Sequence, residues 1–363
     1  MPSTSRRDPS TILVFAVTAA CSEPVVEYEG LHVVLGADPE LEPCAGTISH
    51  MDEFIVRLSD KFGLKLPLAE DRIRFRWVRQ SDFASIGCPS GSLGCTSGSH
   101  VDAWQAPLNH ELVHAVASSV GRPRAFFAEG LAHAYEGLSR DDIGVGASAS
   151  QIIPSITLNS SNIDRLTAGA FVAFLVERHG AARFLHLYEE MPRVASVARI
   201  ERLFLEIFSV TLAESITEFE AGHEGCRHDE YDAKLIECAA PEIEWDAGRI
   251  ALFRSLDCEQ QDAIGPYDGS YLQIFHSLVV PSDGEYEVNV IGDIPDDGSL
   301  IPPRVDLNPC GSCIAGLGTS IHPGERARIP LTAGRYALRL RGPATVTTSI
   351  GFTLERVNNE ALP

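Results

Sequence analysis

NHELVHA, residues 109–115, sets two histidines four positions apart around a glutamate. On an α-helix, positions i and i+4 lie one above the other on a single face, so the imidazoles of His110 and His114 can reach one Zn²⁺ at about 2.0–2.1 Å. Glu111 follows the first histidine and can hold a water at such an ion. Leu108, Leu112, Val113 and Val116 surround these residues with apolar side chains, the pattern of a buried helix. The helix is expected from about Leu108 to Val120, stopped by Gly121-Arg122-Pro123, and a second from near Ala125 to near Gly137. A catalytic zinc needs three protein ligands and one open position, and Glu129 on the return helix can be the third.

Upstream, Val25–Leu35 alternates as a strand. Thr47–Phe62 has helical apolar spacing, closed by Gly63. Arg72–Val78 (RIRFRWV) is a half-exposed strand whose arginines suit a solvated sheet face. Ser81–Ser99 is a Gly/Ser/Cys/Pro loop, and His100–Trp104 is expected as a short edge strand. Downstream, Ser139–Ser161 is a polar loop or flap, followed by helices over Leu166–Arg178, Ala181–Glu190, Val197–Phe208 and Leu212–Glu220. Past Pro241 the period changes to alternating strands: Tyr271–Val280, Tyr286–Val290, Arg326–Leu331, Arg335–Leu340 and Thr345–Leu354, with Gly- and Pro-marked turns between them. The expected class is α+β: a small mixed α/β N-terminal half carrying the HExxH helix, an α-helical lower half, and a separate all-β sandwich. The expected boundaries are 22–225 for the first domain, 226–244 for a linker and 245–357 for the sandwich.

His110, Glu111, His114 and Glu129, with the run Glu129-Gly130-Leu131-Ala132, resemble the gluzincin branch of zinc metallopeptidases. There, H-E-x-x-H on one helix is completed by a glutamate in an E-G-x-A-like segment on the next. The resemblance covers about residues 25–225 and is specific over 108–132. It implies one catalytic Zn²⁺ held by His110, His114 and Glu129, with Glu111 as general base. It also implies a Tyr or His from the lower half that stabilises the oxyanion; Tyr135, His133, His179 and Tyr188 are the candidates, and each could equally be structural. His133, four after Glu129 on the same face, suits a role behind the metal better. No Gly-x-Met-Glu-Asn segment lies upstream, so recognition of a free amino terminus is not implied.

The 363 residues carry 29 Lys+Arg against 50 Asp+Glu, a formal charge of −21, which speaks against nucleic acid as a partner. Nine cysteines suggest an oxidising compartment. The odd count has an explanation in Arg6-Arg7, an apolar run from Thr11 to Ala20, and then Cys21: residues 1–20 read as a signal peptide and Thr18-Ala19-Ala20-Cys21 as a lipobox, with Thr18 where leucine is usual. The chain is thus expected to be exported and lipid-anchored to a bacterial cell envelope through Cys21, or simply secreted. Local spacing suggests Cys88–Cys95 and Cys310–Cys313 bridges and leaves Cys44, Cys226, Cys238 and Cys258 open. His100 reads as an ordinary strand residue, His223 and His228 as an exposed linker, and Asp283, Asp296, Asp297 and Asp306 as turn residues rather than calcium ligands.

The resulting expectation is a monomeric zinc endopeptidase acting on extracytoplasmic proteins or peptides. Two other readings stand beside it. One is a non-catalytic surface lipoprotein with a structural metal site and a binding sandwich; the other is a zinc amidase acting on cell-wall peptide.

Overall fold

Gly30 turns the first apolar segment back on itself. A Cβ at this position would lie 2.6 Å from the Asp52 carboxylate, which accepts hydrogen bonds from the Leu31 and His32 amides at 2.6 and 2.8 Å. Val25–Leu35 is therefore not one strand but two antiparallel ones, β1 (Val26–Glu29) and β2 (Val33–Ala37). The computed structural model describes residues 25–137, 148–158, 162–222, 235–267, 269–295, 301–310 and 319–357.

Helix α1 (Thr47–Phe62) buries Met51, Phe54, Ile55 and Leu58 and ends at Gly63, whose φ of 64° places its N–H on the Asp60 and Ser59 carbonyls. Strand β3 (Ile73–Trp77) alternates buried and exposed residues, with Arg74 and Arg76 on the solvent side. A short helix, α2 (Gln80–Phe83), precedes strands β4 (Gly94–Ser97) and β5 (His100–Ala103). The sheet order is β1-β2-β3-β5-β4. The expected edge strand at His100 is thus interior, and the edge is β4, inside what reads in sequence as a loop. Its composition, Gly-Cys-Thr-Ser, carries no strand signal; antiparallel pairing with β5 makes it a strand.

Helices α3 (Asn109–Ala117) and α4 (Ala125–Tyr135) follow. Residues 148–158 contain a short helix, α5 (Ile152–Thr157), where only loop is expected. Then come α6 (Arg165–His179), α7 (Ala181–Glu190), α8 (Val197–Phe208) and α9 (Leu212–Gly222). Phe126, Phe127, Phe171, Phe174, Phe204 and Phe219 interlock at ring separations of 5.3–6.4 Å, and one continuous core runs from β2 to α9.

The chain is α+β with a separate β-rich C-terminal region. That region holds β6 (Arg249–Leu256), β7 (Ile264–Tyr267), β8 (Tyr271–Val280), β9 (Gly284–Gly292), β10 (Arg304–Pro309), β11 (Thr319–Ile321), β12 (Arg326–Leu331), β13 (Gly334–Pro343) and β14 (Thr348–Arg356). They form two sheets, β11-β10-β13-β8-β7 and β12-β9-β14-β6, whose inner faces enclose a second core including Leu272, Ile274, Val288, Leu338, Ile350 and Phe352.

The two regions meet at the start of α1. Cys44 is bridged to Cys258, Thr47 Oγ1 donates to the Gly265 carbonyl at 2.8 Å, and the His50 ring stacks on Phe275 at 6.3 Å. Cys88 pairs with Cys95. The local Cys310–Cys313 pairing is incorrect: Cys310 is bridged to Cys238, which fastens the segment ahead of β6 to the end of β10. Sequence proximity misleads here because β10 pairs with β13 and β13 with β8, and the segment around Cys238 packs against that same sheet. Cys21, Cys226, Cys313, His223, His228, Asp296 and Asp297 lie outside the described residues.

Candidate metal centre

Helix α3 presents His110 and His114 on one face, their ring centroids 4.9 Å apart and nearly perpendicular. Leu112 on the opposite face and Val113 on a flank anchor the helix in the core. Helix α4 brings Glu129 to them, and the following residue explains how. A Cβ on Gly130 would stand 2.6 Å from the Ala168 carbonyl and 2.7 Å from Val172 Cγ2. Only glycine lets α4 pack this closely on α6, which sets the depth at which Glu129 sits.

Nε2 of His110 is 3.4 Å from Glu129 Oε2, and Nε2 of His114 is 3.7 Å from Glu129 Oε1. The three donor atoms lie within 4.8 Å of one another. Donors on a tetrahedral ion with bonds of about 2.0–2.1 Å stand about 3.3–3.4 Å apart. Glu129 Oε2 is buried without a conventional hydrogen bond, with Arg165 Nη2 3.3 Å away. Two imidazole nitrogens and an under-satisfied carboxylate form a donor set that could hold a divalent ion.

Behind His110 lies Glu136, fully buried. Its Oε2 is 2.8 Å from His110 Nδ1 and its Oε1 is 2.9 Å from His133 Nδ1. A carboxylate on Nδ1 fixes the ring and leaves Nε2 for a metal. Glu136 is absent from the sequence reading, although it stands three residues after His133 and seven after Glu129 on one helical face. His133 accordingly lies behind the site and does not face the cleft.

The charges follow from these contacts. Burial opposes a charge on His110, but Glu136 above all, then Glu129 and Glu111, raise its pKa to about 10. A metal would take the place of its Nε2 proton. Burial, then the His110 charge, lowers His114, keeping its nitrogen lone pair available. Burial works to raise Glu129, yet His110, His114 and Arg165 hold it down to about 2. Glu136 is held well below the usual carboxylate range by His133 and His110 despite its burial.

A cleft of about 1050 Å³ opens on these residues. Glu111 lines it, and Thr96 Oγ1 on β4 donates to Glu111 Oε2 at 2.6 Å. The edge strand thus orients this glutamate, and the packing demands Gly94: a Cβ there would lie 2.7 Å from Leu108 Cδ2 and 2.9 Å from Glu111 Cγ. Of the four oxyanion candidates, Tyr188 lines the cleft. Burial, then the Glu129 charge, pushes its hydroxyl pKa up, so it stays protonated as a donor. Tyr135 packs edge-on against Phe62 at 5.1 Å, and His179 stacks on Phe208 at 4.4 Å; neither lines the cleft. Elsewhere, Asp306 is buried against Arg339 and Arg304, and Asp283 accepts the Ala333 amide, consistent with structural carboxylates.

No family model matches the chain, and no curated protein matches it. Among solved structures, it is similar to the pre-peptidase C-terminal domain of a collagenase from Bacillus anthracis, at 13% identity and a TM-score of 0.21 over 32% of this chain and 94% of that one. It is also similar to periplasmic inhibitors of g-type lysozyme. For the one from Aeromonas hydrophila the figures are 10% identity and a TM-score of 0.22, over 32% of this chain and 94% of that one. For the one from Salmonella Typhimurium they are 14% and 0.20, over 31% and 96%. Likenesses this weak fix neither family nor function.

Proposed function

We propose that the protein is a gluzincin-like zinc peptidase, an endopeptidase acting on extracytoplasmic proteins or peptides. One observation carries this reading: His110 and His114 both turn Nε2 toward Glu129 at metal-donor spacing, with Glu111 beside them on an open cleft. His₂Glu is a donor set of catalytic zinc sites, which keep a position open. A purely structural site has no use for Glu111, whose carboxylate is oriented by Thr96 rather than used in packing.

Zinc bound by His110, His114 and Glu129 would supply Lewis acidity, making a water acidic near neutral pH and polarising a carbonyl. The protein's own groups do the rest. Glu136 holds His110 in the tautomer that offers Nε2. Glu111 takes the proton of the attacking water on its carboxylate and delivers it to the leaving nitrogen. The Tyr188 hydroxyl donates to the oxygen on which negative charge develops. Edge strand β4 borders the cleft with one side unpaired in the sheet, so an extended peptide can add to it through backbone hydrogen bonds.

Three disulfides among the described residues support an extracytoplasmic setting, and among them no helix is long and apolar enough to cross a membrane. Anchoring through Cys21 belongs to the same proposal. The test is metal content together with turnover of quenched fluorogenic peptides. One zinc per chain and chelator-sensitive cleavage support the reading, as does a Glu111→Gln variant that keeps zinc and loses about a hundredfold or more in rate. Zinc bound without turnover of any peptide would favour a structural metal site, and cleavage of peptidoglycan fragments alone would favour a wall amidase.

A further inference from the structure

The charged residues lining the cleft are Glu111 and Glu129 in the metal centre, and Arg122, Arg124, Arg165 and Arg193; among the described residues it is lined by no aspartate or lysine. In a chain with 50 acidic and 29 basic residues, that balance is inverted.

Three of these arginines share one wall, and Arg124 builds it. Its guanidinium donates to the carbonyls of Ile156 at 2.7 Å, Thr157 at 3.0 Å and Ala195 at 2.6 Å. That draws the α7–α8 loop, with Arg193 and Val194, onto the turn that carries Arg122. Gly121 closes the same junction from the other side, its Cβ position 3.3–3.4 Å from the backbone of Glu189 and Tyr188. All three acceptors on Arg124 are neutral carbonyls, so its positive charge is not cancelled. Arg165 differs: it is paired with Glu129.

Arg122 and Arg193 are exposed, and neither has a hydrogen bond or ion pair within the described residues. Val194 and Leu158, 87% and 40% exposed, add apolar surface to the cleft lining. The part of the lining from Ser90 through β4 to Gly98 holds only small, polar and apolar neutral residues. A cleft with one cationic wall focuses its field on whatever lies in it, and guanidinium groups bind carboxylates through paired N–H donors.

We propose that the cleft selects peptides bearing a carboxylate side chain close to the bond to be cleaved, received by Arg122 and Arg193 on a wall whose charge Arg124 reinforces. This rests on the peptidase reading above. Such a substrate would lie with its backbone along β4 and its acidic side chain across the cleft, over Leu158 and Val194.

The test uses two quenched fluorogenic peptides that differ only in glutamate against glutamine flanking the cleaved bond. The wild-type chain is expected to favour the glutamate peptide about tenfold in kcat/KM at low salt, and less so in 0.5 M salt. In R122A/R193A the ratio should fall close to one. In R122E/R193E it should turn toward a lysine-containing counterpart. A wild-type ratio near one, or a ratio unmoved by these substitutions, overturns the proposal while the peptidase reading stands. The same peptides are titrated by fluorescence polarisation into the Glu111→Gln variant. If no peptide is cleaved at all, the peptidase reading fails. The selectivity is then judged on this binding: tighter glutamate binding that the arginine substitutions abolish sustains it, and equal or absent binding overturns it.

Discussion

His110 and Glu136 meet at 2.8 Å through Nδ1 and Oε2, and this contact points the other ring nitrogen of His110 at Glu129. Its removal should weaken metal binding at the candidate site. Glu136→Gln keeps the shape but takes away the charge, and zinc affinity should fall by about 10–100-fold. Competition against a chromogenic chelator measures it. An affinity equal to the parent's would mean that Glu136 serves only the packing of α4.

Tyr188 lines the cleft, and burial, then the Glu129 charge, pushes its hydroxyl pKa up, so the proposed donor role has a protonated hydroxyl to draw on. Tyr188→Phe should lower kcat by about 10–1,000-fold with KM little changed and zinc content intact. Steady-state kinetics on a single peptide decide the matter. A change confined to KM would assign Tyr188 to substrate binding instead.

Gly94 is held against Leu108 and Glu111 by closeness alone, since its backbone is ordinary strand. Gly94→Ala should force β4 away from α3, at a cost of about 1–3 kcal/mol, and displace Thr96 from Glu111. Lower activity with a lower thermal midpoint is the expected pair of readings. Unchanged values for both would show that the strand can give by a few tenths of an ångström.

His50 lies buried between Asn109 and Phe275, where burial lowers its pKa to about 4 against a partly offsetting hydrogen bond from Asn109. The folded value is below the unfolded value of about 6.5. The stability tied to this group is therefore complete above pH 6.5 and is lost as pH falls toward 4, over a range of about 3 kcal/mol. Urea midpoints between pH 7 and pH 4 should fall less steeply in His50→Gln than in the parent. Parallel slopes would remove His50 as the source.

The site was legible where local spacing carries it. His110, Glu111 and His114 fall within one helical turn, and Glu129 follows on the return helix. Glu136 and Arg165 were not, because their parts depend on how closely α4 approaches α3 and α6, which Gly130 decides through a contact with residue 168. Strand β4 was hidden because, Thr96 apart, its four residues have little strand propensity and owe their state to a partner. Among the strands, β8 and β12 could be read from their longer runs of strand-forming residues, whereas β10 could not: its alternation is confined to Val305-Asp306-Leu307-Asn308, it ends in Pro309, and Asp306 is buried only because Arg339 and Arg304 pair with it. The Cys238–Cys310 bridge spans 72 residues and depends on the sheet it fastens.

The Cys44–Cys258 bridge has a consequence for the life of the molecule. It closes a covalent loop spanning 214 residues that contains the whole candidate metal centre, from α1 through β4, α3 and α4 to α9. A protease that nicks one backbone bond inside that loop severs the chain but releases nothing. The pieces stay tethered, the interlocked phenylalanines keep them packed, and damage becomes visible as two fragments only after a reductant opens the bridge.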